Sequence, residues 1–358
     1  ILKLVYKVAT IDMFGDFLPM KNSIPLSLVA LGSYGREQLC VHSDIDLMLV
    51  YKDVPGYNVK ELIEKILYIL WDTGLKLGHR VHTVDELFEV SKTDITIKTA
   101  LIESRMIEGS SFVWVETQNA ITQIRHDNVE EFIALKLKEQ EEKHRKYPLT
   151  MEPNLKEGAG GVRDANLVFW IGKLFYNVEN IKNLPSKIID EKEYKTFRIA
   201  LEFLFRVRSA LHLVSKKKED KLRLDLIPYV ATLIGYENSK KGHMRFAKKV
   251  TGSLKTIRLY STIWLDHLTK DYHRDALSKS YVYPRKDTKN FNDLLIQLRV
   301  HADEYFYAHT TFVQQLIHIK RPERLTKTHY RTIKTLFYKP HSYSIFKTLS
   351  FAKLLRYT

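Results

Sequence analysis

Two aspartates, Asp44 and Asp46, open the apolar run Ile45-Asp46-Leu47-Met48-Leu49-Val50-Tyr51. On a strand, alternate side chains leave the same face, so the two carboxylates converge. Like charges do not both ionise cheaply side by side, and such a pair either shares a proton or holds a cation. Carboxylate oxygens suit Mg²⁺, which completes its octahedron with water and substrate phosphates; Mn²⁺ accepts similar ligands. Upstream, Gly32-Ser33 ends another apolar run and opens a helix. The exposed N–H groups of a helix start, with the positive end of its dipole, favour a phosphate. Glycine lets the backbone approach the anion, and Ser33 adds a hydroxyl. A triphosphate cradle beside a metal site is the equipment of phosphoryl or nucleotidyl transfer. Taken singly, a Gly-Ser turn or a surface acid pair has an ordinary structural explanation. Their combination, with ten residues between Ser33 and Asp44, carries the reading.

These residues need strands and helices to hold them. Ser27–Leu31 reads as a buried strand, followed by a short helix from Tyr34 to about Leu39, and Ile45–Tyr51 is a second strand. Asn58 is placed to cap a helix over Val59–Asp72, with Leu62, Ile63, Ile66, Leu67 and Leu70 on one face. Leu75–Thr83 is a third candidate strand. Thr83 or Asp85 can cap a short helix through Val90, and Asp94 precedes another from about Ile97 to Glu108. Asn128–Lys146 is a polar helix read as a connector, with His144, Arg145 and Lys146 as its solvated end.

After Pro148 the pattern is helical: Arg163–Tyr176, Glu191–Lys216, Lys241–His267, Asn290–Ile317 and Thr328–Tyr338. Apolar residues on nearly every side of Phe197–Val214 predict the central helix of a bundle. Charge changes with the pattern. Residues 1–145 hold 17 Lys+Arg and 22 Asp+Glu, a net of −5, and the remainder holds 40 and 20, a net of +20. The fold class is therefore α+β: a small domain with a short mixed sheet over 1–147, then an all-helical domain over 148–358. With 44% hydrophobic and 28% charged residues, the chain is not a disordered one. Its one cysteine, Cys40, excludes an internal disulfide, and no Cys/His spacing suits structural zinc; a cytoplasmic setting is expected. No apolar run is long enough to span a membrane. The chain starts at Ile1 and stops at Thr358 within an amphipathic pattern, so it reads as a piece of something longer.

Gly32-Ser33 followed by Asp44-Ile45-Asp46-Leu47 resembles the signature of the polymerase-β-like nucleotidyltransferase superfamily. The resemblance narrows to the bacterial PII uridylyltransferases (GlnD-like). It rests on Gly32-Ser33-Tyr34-Gly35-Arg36-Glu37-Gln38-Leu39 with His42-Ser43-Asp44-Ile45-Asp46-Leu47, and on Leu77-Gly78-His79-Arg80-Val81-His82-Thr83. Glu152-Pro153-Asn154-Leu155-Lys156-Glu157-Gly158-Ala159-Gly160-Gly161-Val162-Arg163-Asp164 is more specific to that group. Arg206-Val207-Arg208-Ser209-Ala210-Leu211-His212-Leu213 and Lys218-Glu219-Asp220-Lys221-Leu222 extend the likeness into the helical region.

The resemblance implies attack by a tyrosine hydroxyl of a PII-type signalling protein on the α-phosphorus of UTP, releasing pyrophosphate. Asp44 and Asp46 would hold Mg²⁺ and serve as the catalytic pair. Gly32, Ser33, Arg36, Ser43 and Lys156 would bind nucleotide. Arg36 could equally pair with an acid of the fold. Gly158-Ala159-Gly160-Gly161 reads either as a phosphate loop, flanked by Lys156 and Arg163 that could close over the nucleotide, or as a flexible hinge between the domains. The strand over Leu75–Thr83 carries no acid, so the general base has no candidate there. Arg80 and His82 stand where the family usually has serine and arginine, which puts part of the nucleotide contact in doubt. In the family an HD hydrolase domain follows; this chain has no His…His-Asp…Asp arrangement, only an isolated His126-Asp127, so its end is read as falling before that domain. Competing readings are transfer to an RNA 3′ end, transfer from ATP to another protein, and a nucleotide-sensing module that has lost its activity. The aromatics Phe169, Trp170, Phe203 and Phe205 fall on apolar faces, which speaks against a nucleic-acid partner.

Overall fold

A computed structural model describes residues 1–15, 17, 19–272, 281–282, 288–303 and 307–355. The first elements are α1 (Leu2–Phe14), β1 (Leu26–Ala30), α2 (Gly32–Gly35), β2 (Ile45–Tyr51), α3 (Val59–Asp72) and β3 (Leu77–Thr83). There follow α4 (Leu87–Thr93), α5 (Ile95–Ile102), β4 (Arg105–Gly109) and α6 (Ser111–His126). The strands make one mixed sheet in the order β3-β2-β1-β4. β1 is antiparallel to β2 and β4, while β2 and β3 are parallel, joined by the crossover helix α3.

Apart from Ser27 and Asp46, β1 and β2 are built almost wholly of apolar residues because both faces of the sheet are covered. Leu26, Leu28, Leu47 and Leu49 pack against α1 and α3, whose Ile63, Ile66 and Leu70 supply the facing stripe. Val29, Met48 and Val50 pack on the opposite face with Leu87, Leu101 and Val113 of α4, α5 and α6. Asn58 caps α3 as expected, its side chain accepting from Glu61 N–H. Asp94 caps α5 by accepting from Thr96 N–H, but α5 ends at Ile102. The expected helix to Glu108 is replaced by β4, since Arg105–Gly109 completes the sheet beside β1.

The helical region begins with α7 (Val129–Lys146), α8 (Val162–Tyr176), α9 (Glu191–Ser215), α10 (Ile227–Leu233) and α11 (Lys240–Thr269). The last helices are α12 (Phe291–Val300), α13 (Thr310–His318), α14 (Lys327–Phe337) and α15 (Ser342–Phe351). The single helix expected over Asn290–Ile317 is instead α12 and α13, with 304–306 outside the described residues. Nor is α9 the centre of the bundle: Ile199 and Leu213 on it are exposed. That place belongs to α11, which packs on α8, α9, α10 and α13 and buries Phe246, Leu254, Ile257, Ile263 and Trp264. α7 is more than a connector, since its Phe132 and Ile133 enter the same core. The architecture is α+β, a small mixed sheet with flanking helices followed by a helical region. Among the described residues no helix is long and apolar enough to cross a membrane.

Candidate active site

Asp46 is the second residue of β2, and Asp44 stands one residue before it. The sequence around them folds so as to clear space for Asp46. Gly32 precedes it on the neighbouring connection, and Gly78 is its register partner on β3. A Cβ at Gly32 would lie 2.7 Å from Asp46 Oδ2, and one at Gly78 would lie 2.8 Å from Oδ1. The carboxylate therefore sits between two glycines, and Gly32 also needs its left-handed φ of 57°. Burial, reinforced by the nearby Asp44 charge, raises the pKa of Asp46. Asp44 is pushed the other way, chiefly by a hydrogen bond from Lys218. The two are electrostatically coupled, as a pair built around a cation must be.

The helix after Gly32 is a single turn, shorter than the expected reach to Leu39, because Glu37 adopts a left-handed φ of 58°. One turn has little macrodipole, so any cradle for phosphate there rests on backbone N–H groups and on Ser33 itself. Ser43 accepts a hydrogen bond from Cys40 N–H at 2.9 Å, which closes the turn leading into Asp44. Gly32, Ser33, Arg36, Ser43, Asp44, Asp46 and Lys156 all line one cleft of about 290 Å³. The residues assigned from the sequence to the metal pair and the nucleotide are thus brought together, whereas Arg80 and His82 line a separate small cavity with Met48 and Leu87.

The opposite wall comes from the helical region: Lys156, Arg163, Asn166 and Trp170 around the start of α8, Phe205 and Arg208 of α9, and Lys218 beyond it. Arg36 is ion-paired with the buried Glu103, which also accepts from Trp170 Nε1–H. Arg36, Arg163 and Lys136 surround the Trp170 ring at 5.8, 5.6 and 4.9 Å from its centre. Arg163 donates to both oxygens of Glu157, at 2.9 and 3.3 Å. Burial, and then the Arg163 charge, lower the pKa of Lys156.

The Gly158–Gly161 run is not a hinge. All four residues are buried, and a Cβ on Gly160 would meet the Leu254 carbonyl oxygen at 1.9 Å. Asp164 secures this turn by accepting from Gly160 N–H at 2.7 Å, and it also contacts His144 Nε2 at 2.8 Å. His144 is accordingly a partner of a buried acid, not part of a solvated helix end.

Sequence reading missed a brace behind the acid pair. Arg208 of α9 is ion-paired with Asp220 and donates to Cys40 Sγ at 3.3 Å. His212 Nδ1 accepts from His42 N–H at 3.3 Å, so its proton resides on Nε2, which faces Asp220 Oδ1 at 3.6 Å. Burial opposes ionisation of Asp220, yet His212 and Arg208 hold its carboxyl well below the usual range. The turn Cys40–Ser43, which delivers Asp44, is thus fastened to α9. The one available signal was the row Arg208, His212 and Asp220 inside the quoted motifs; only folding brings it to Cys40.

Among the described residues no cluster of three or more His, Cys, Asp or Glu is placed to hold a metal. Two half-buried carboxylates, one with a raised pKa and one already paired with an ammonium, do fit a hard divalent ion that takes its remaining ligands from water and phosphate.

The fold and cleft define an α+β protein with a nucleotidyltransferase-like domain and a helical region. Residues 131–265 match the protein-family model described as GlnD PII-uridylyltransferase. The chain is 35% identical over 271 residues to the bifunctional uridylyltransferase/uridylyl-removing enzyme of Rhodopseudomonas palustris, covering 72% of this chain and 29% of that protein. It is 37% identical over 241 residues to the enzyme of the same name from Bradyrhizobium sp. strain ORS 278, covering 66% and 26%. A more distant relative of that name, from Pseudoalteromonas translucida, is 29% identical over 318 residues, covering 87% and 36%. The chain is a GlnD-like protein, and it spans about a quarter to a third of the length of these relatives.

Proposed function

We propose that this chain transfers UMP from UTP to a tyrosine hydroxyl of a PII-type signalling protein. The observation that carries the reading is the Asp46 carboxylate held between Gly32 and Gly78, beside Asp44, across a cleft from Lys156, Arg163 and Lys218. Residues 1–147 act as the nucleotidyltransferase domain and 148–358 as the helical domain that closes the nucleotide cleft. The cytoplasm is the setting.

Asp44 and Asp46 would hold Mg²⁺, which when bound supplies charge stabilisation on the phosphate oxygens. Gly32 and Ser33 receive the β- and γ-phosphates, Lys156 neutralises them from the other wall, and Ser43 keeps the Asp44 turn in place. Arg36, committed to Glu103, shapes the wall next to the nucleotide. Phe205 and Asn166 offer a ring face and an amide to the base. The tyrosine oxygen gives up its proton to solvent water and forms the new bond to the α-phosphorus while the bond to the pyrophosphate oxygen breaks and pyrophosphate leaves. β3 contributes no acid to take the hydroxyl proton. Phe169 and Trp170 are buried in the helical core and so are not available for the base stacking that single-stranded RNA uses, which favours a protein acceptor.

The test is incubation of the chain with Mg²⁺, a PII-type protein and each labelled nucleoside triphosphate in turn. Label should pass from UTP to the protein and survive denaturation. Transfer only from ATP, or only to RNA, would sink this reading.

A further inference from the structure

We propose that Lys218 serves as the resident cation of the Asp44/Asp46 pair and moves to the triphosphate when metal and nucleotide arrive together. The inference rests on the assignment of those aspartates as the metal-holding pair. Lys218 lies beyond α9, past Lys216, whose left-handed φ of 53° ends that helix. From there its ammonium crosses the cleft and hydrogen-bonds Asp44 Oδ2. Lys76 and Lys156 influence Asp44 only through space.

Lys156 lies at the long distance of 3.8 Å from Glu157, and the remaining cations of the cleft are committed to acids of the scaffold. Arg36 holds Glu103, Lys136 holds Glu139, Arg163 holds Glu157 and Arg208 holds Asp220. Lys218 differs in that the acid it holds belongs to the proposed metal pair. Its side chain is also 42% exposed, so no core packing fixes it there. A divalent ion at Asp44 and Asp46 would repel the ammonium from close range. The phosphates that accompany the ion bring negative charge into the same cleft and offer the ammonium a new partner. A compact charge on a flexible stem can change partners in this way, where the rigid fork of arginine cannot readily do so. Free metal must therefore compete with Lys218, whereas metal carried by nucleotide exchanges with it.

The experiment compares the intact chain with Lys218→Met and Lys218→Gln, without acceptor protein. Mn²⁺ binding in the absence of nucleotide is read by electron paramagnetic resonance, and binding of UTP with Mg²⁺ by calorimetry. Both variants should bind Mn²⁺ more tightly, by about fivefold for a half-exposed ion pair. Both should bind UTP more weakly, by about tenfold or more for a charge-assisted hydrogen bond. Opposite signs are the signature, because a merely structural lysine would weaken both. Unchanged or weaker Mn²⁺ binding, or unchanged UTP binding, overturns the proposal. Mn²⁺ binding that survives Asp44→Asn with Asp46→Asn overturns the metal-site assignment as well, so the two failures are distinguishable.

Discussion

On the sheet side of the cleft, Asp44 and Asp46 come from one short stretch of chain, and the residues that make room for them are glycines on the adjoining segments. On the helical side, Lys156, Arg163, Arg208 and Lys218 come from separate segments around α8 and α9. The sheet wall is acidic and made by local spacing; the helical wall is cationic and made by packing. The charge split of −5 and +20 follows the same division. A basic region therefore need not face a polyanion in bulk. Here several of its cations line a cleft opposite two carboxylates, where a triphosphate would lie between them.

The largest effect is expected on the acidic wall. Asp44→Asn with Asp46→Asn should lower transfer by about a thousandfold or more, since the metal-held stabilisation is worth several kcal/mol. Retention of activity in a labelled-UTP assay would remove these residues from the site.

The brace should matter next. Asp220→Asn leaves Arg208 buried without its acid, at a cost of about 3 kcal/mol measured by denaturant unfolding. The sign of its pH dependence is fixed. A carboxyl whose folded pKa is depressed contributes stability above the ordinary carboxylate value of about 3.9 and loses it as pH falls through the folded pKa. The difference between wild type and variant should therefore be full near neutrality and shrink in acid. A difference that grows in acid would contradict this account of Asp220.

Gly78→Ala separates catalysis from folding. The added methyl meets Asp46 Oδ1 at 2.8 Å, and displacement of that carboxylate should cost about a hundredfold in rate. Gly78 lies on β3, an edge strand with mostly exposed side chains, so the melting temperature should change little. A large loss of stability with normal activity would show that the gap at Gly78 serves packing instead.

The smallest effect is expected from Glu157→Gln, which frees Arg163 from its bidentate partner. Stability should fall by about 1 kcal/mol, and nucleotide binding should become more salt-dependent as the guanidinium turns toward the cleft. Unaltered salt dependence in a UTP titration would place Arg163 outside the nucleotide's reach.

Much of this was legible in the chain. Apolar runs over Ile45–Tyr51 and Val59–Asp72 named a strand and its capped helix to the residue, because both obey a strong local period. β4 was not legible: Arg105–Gly109 is a strand only because β1 has a free edge there. The Gly158–Gly161 run looked mobile by composition and is instead packed against α11. Gly78 carried no sign of its purpose, since its register with Asp46 exists only in the sheet.

By itself the sequence determined the α+β class, the acid pair and the glycine-serine turn, because those depend on spacing over a few residues. Tertiary structure alone decided which cations face the acids, which of them are already paired, and that Arg208, His212 and Asp220 fasten the Cys40–Ser43 turn. Those contacts join residues as far apart as Cys40 and Arg208, 168 positions along the chain, and no local period encodes such a distance.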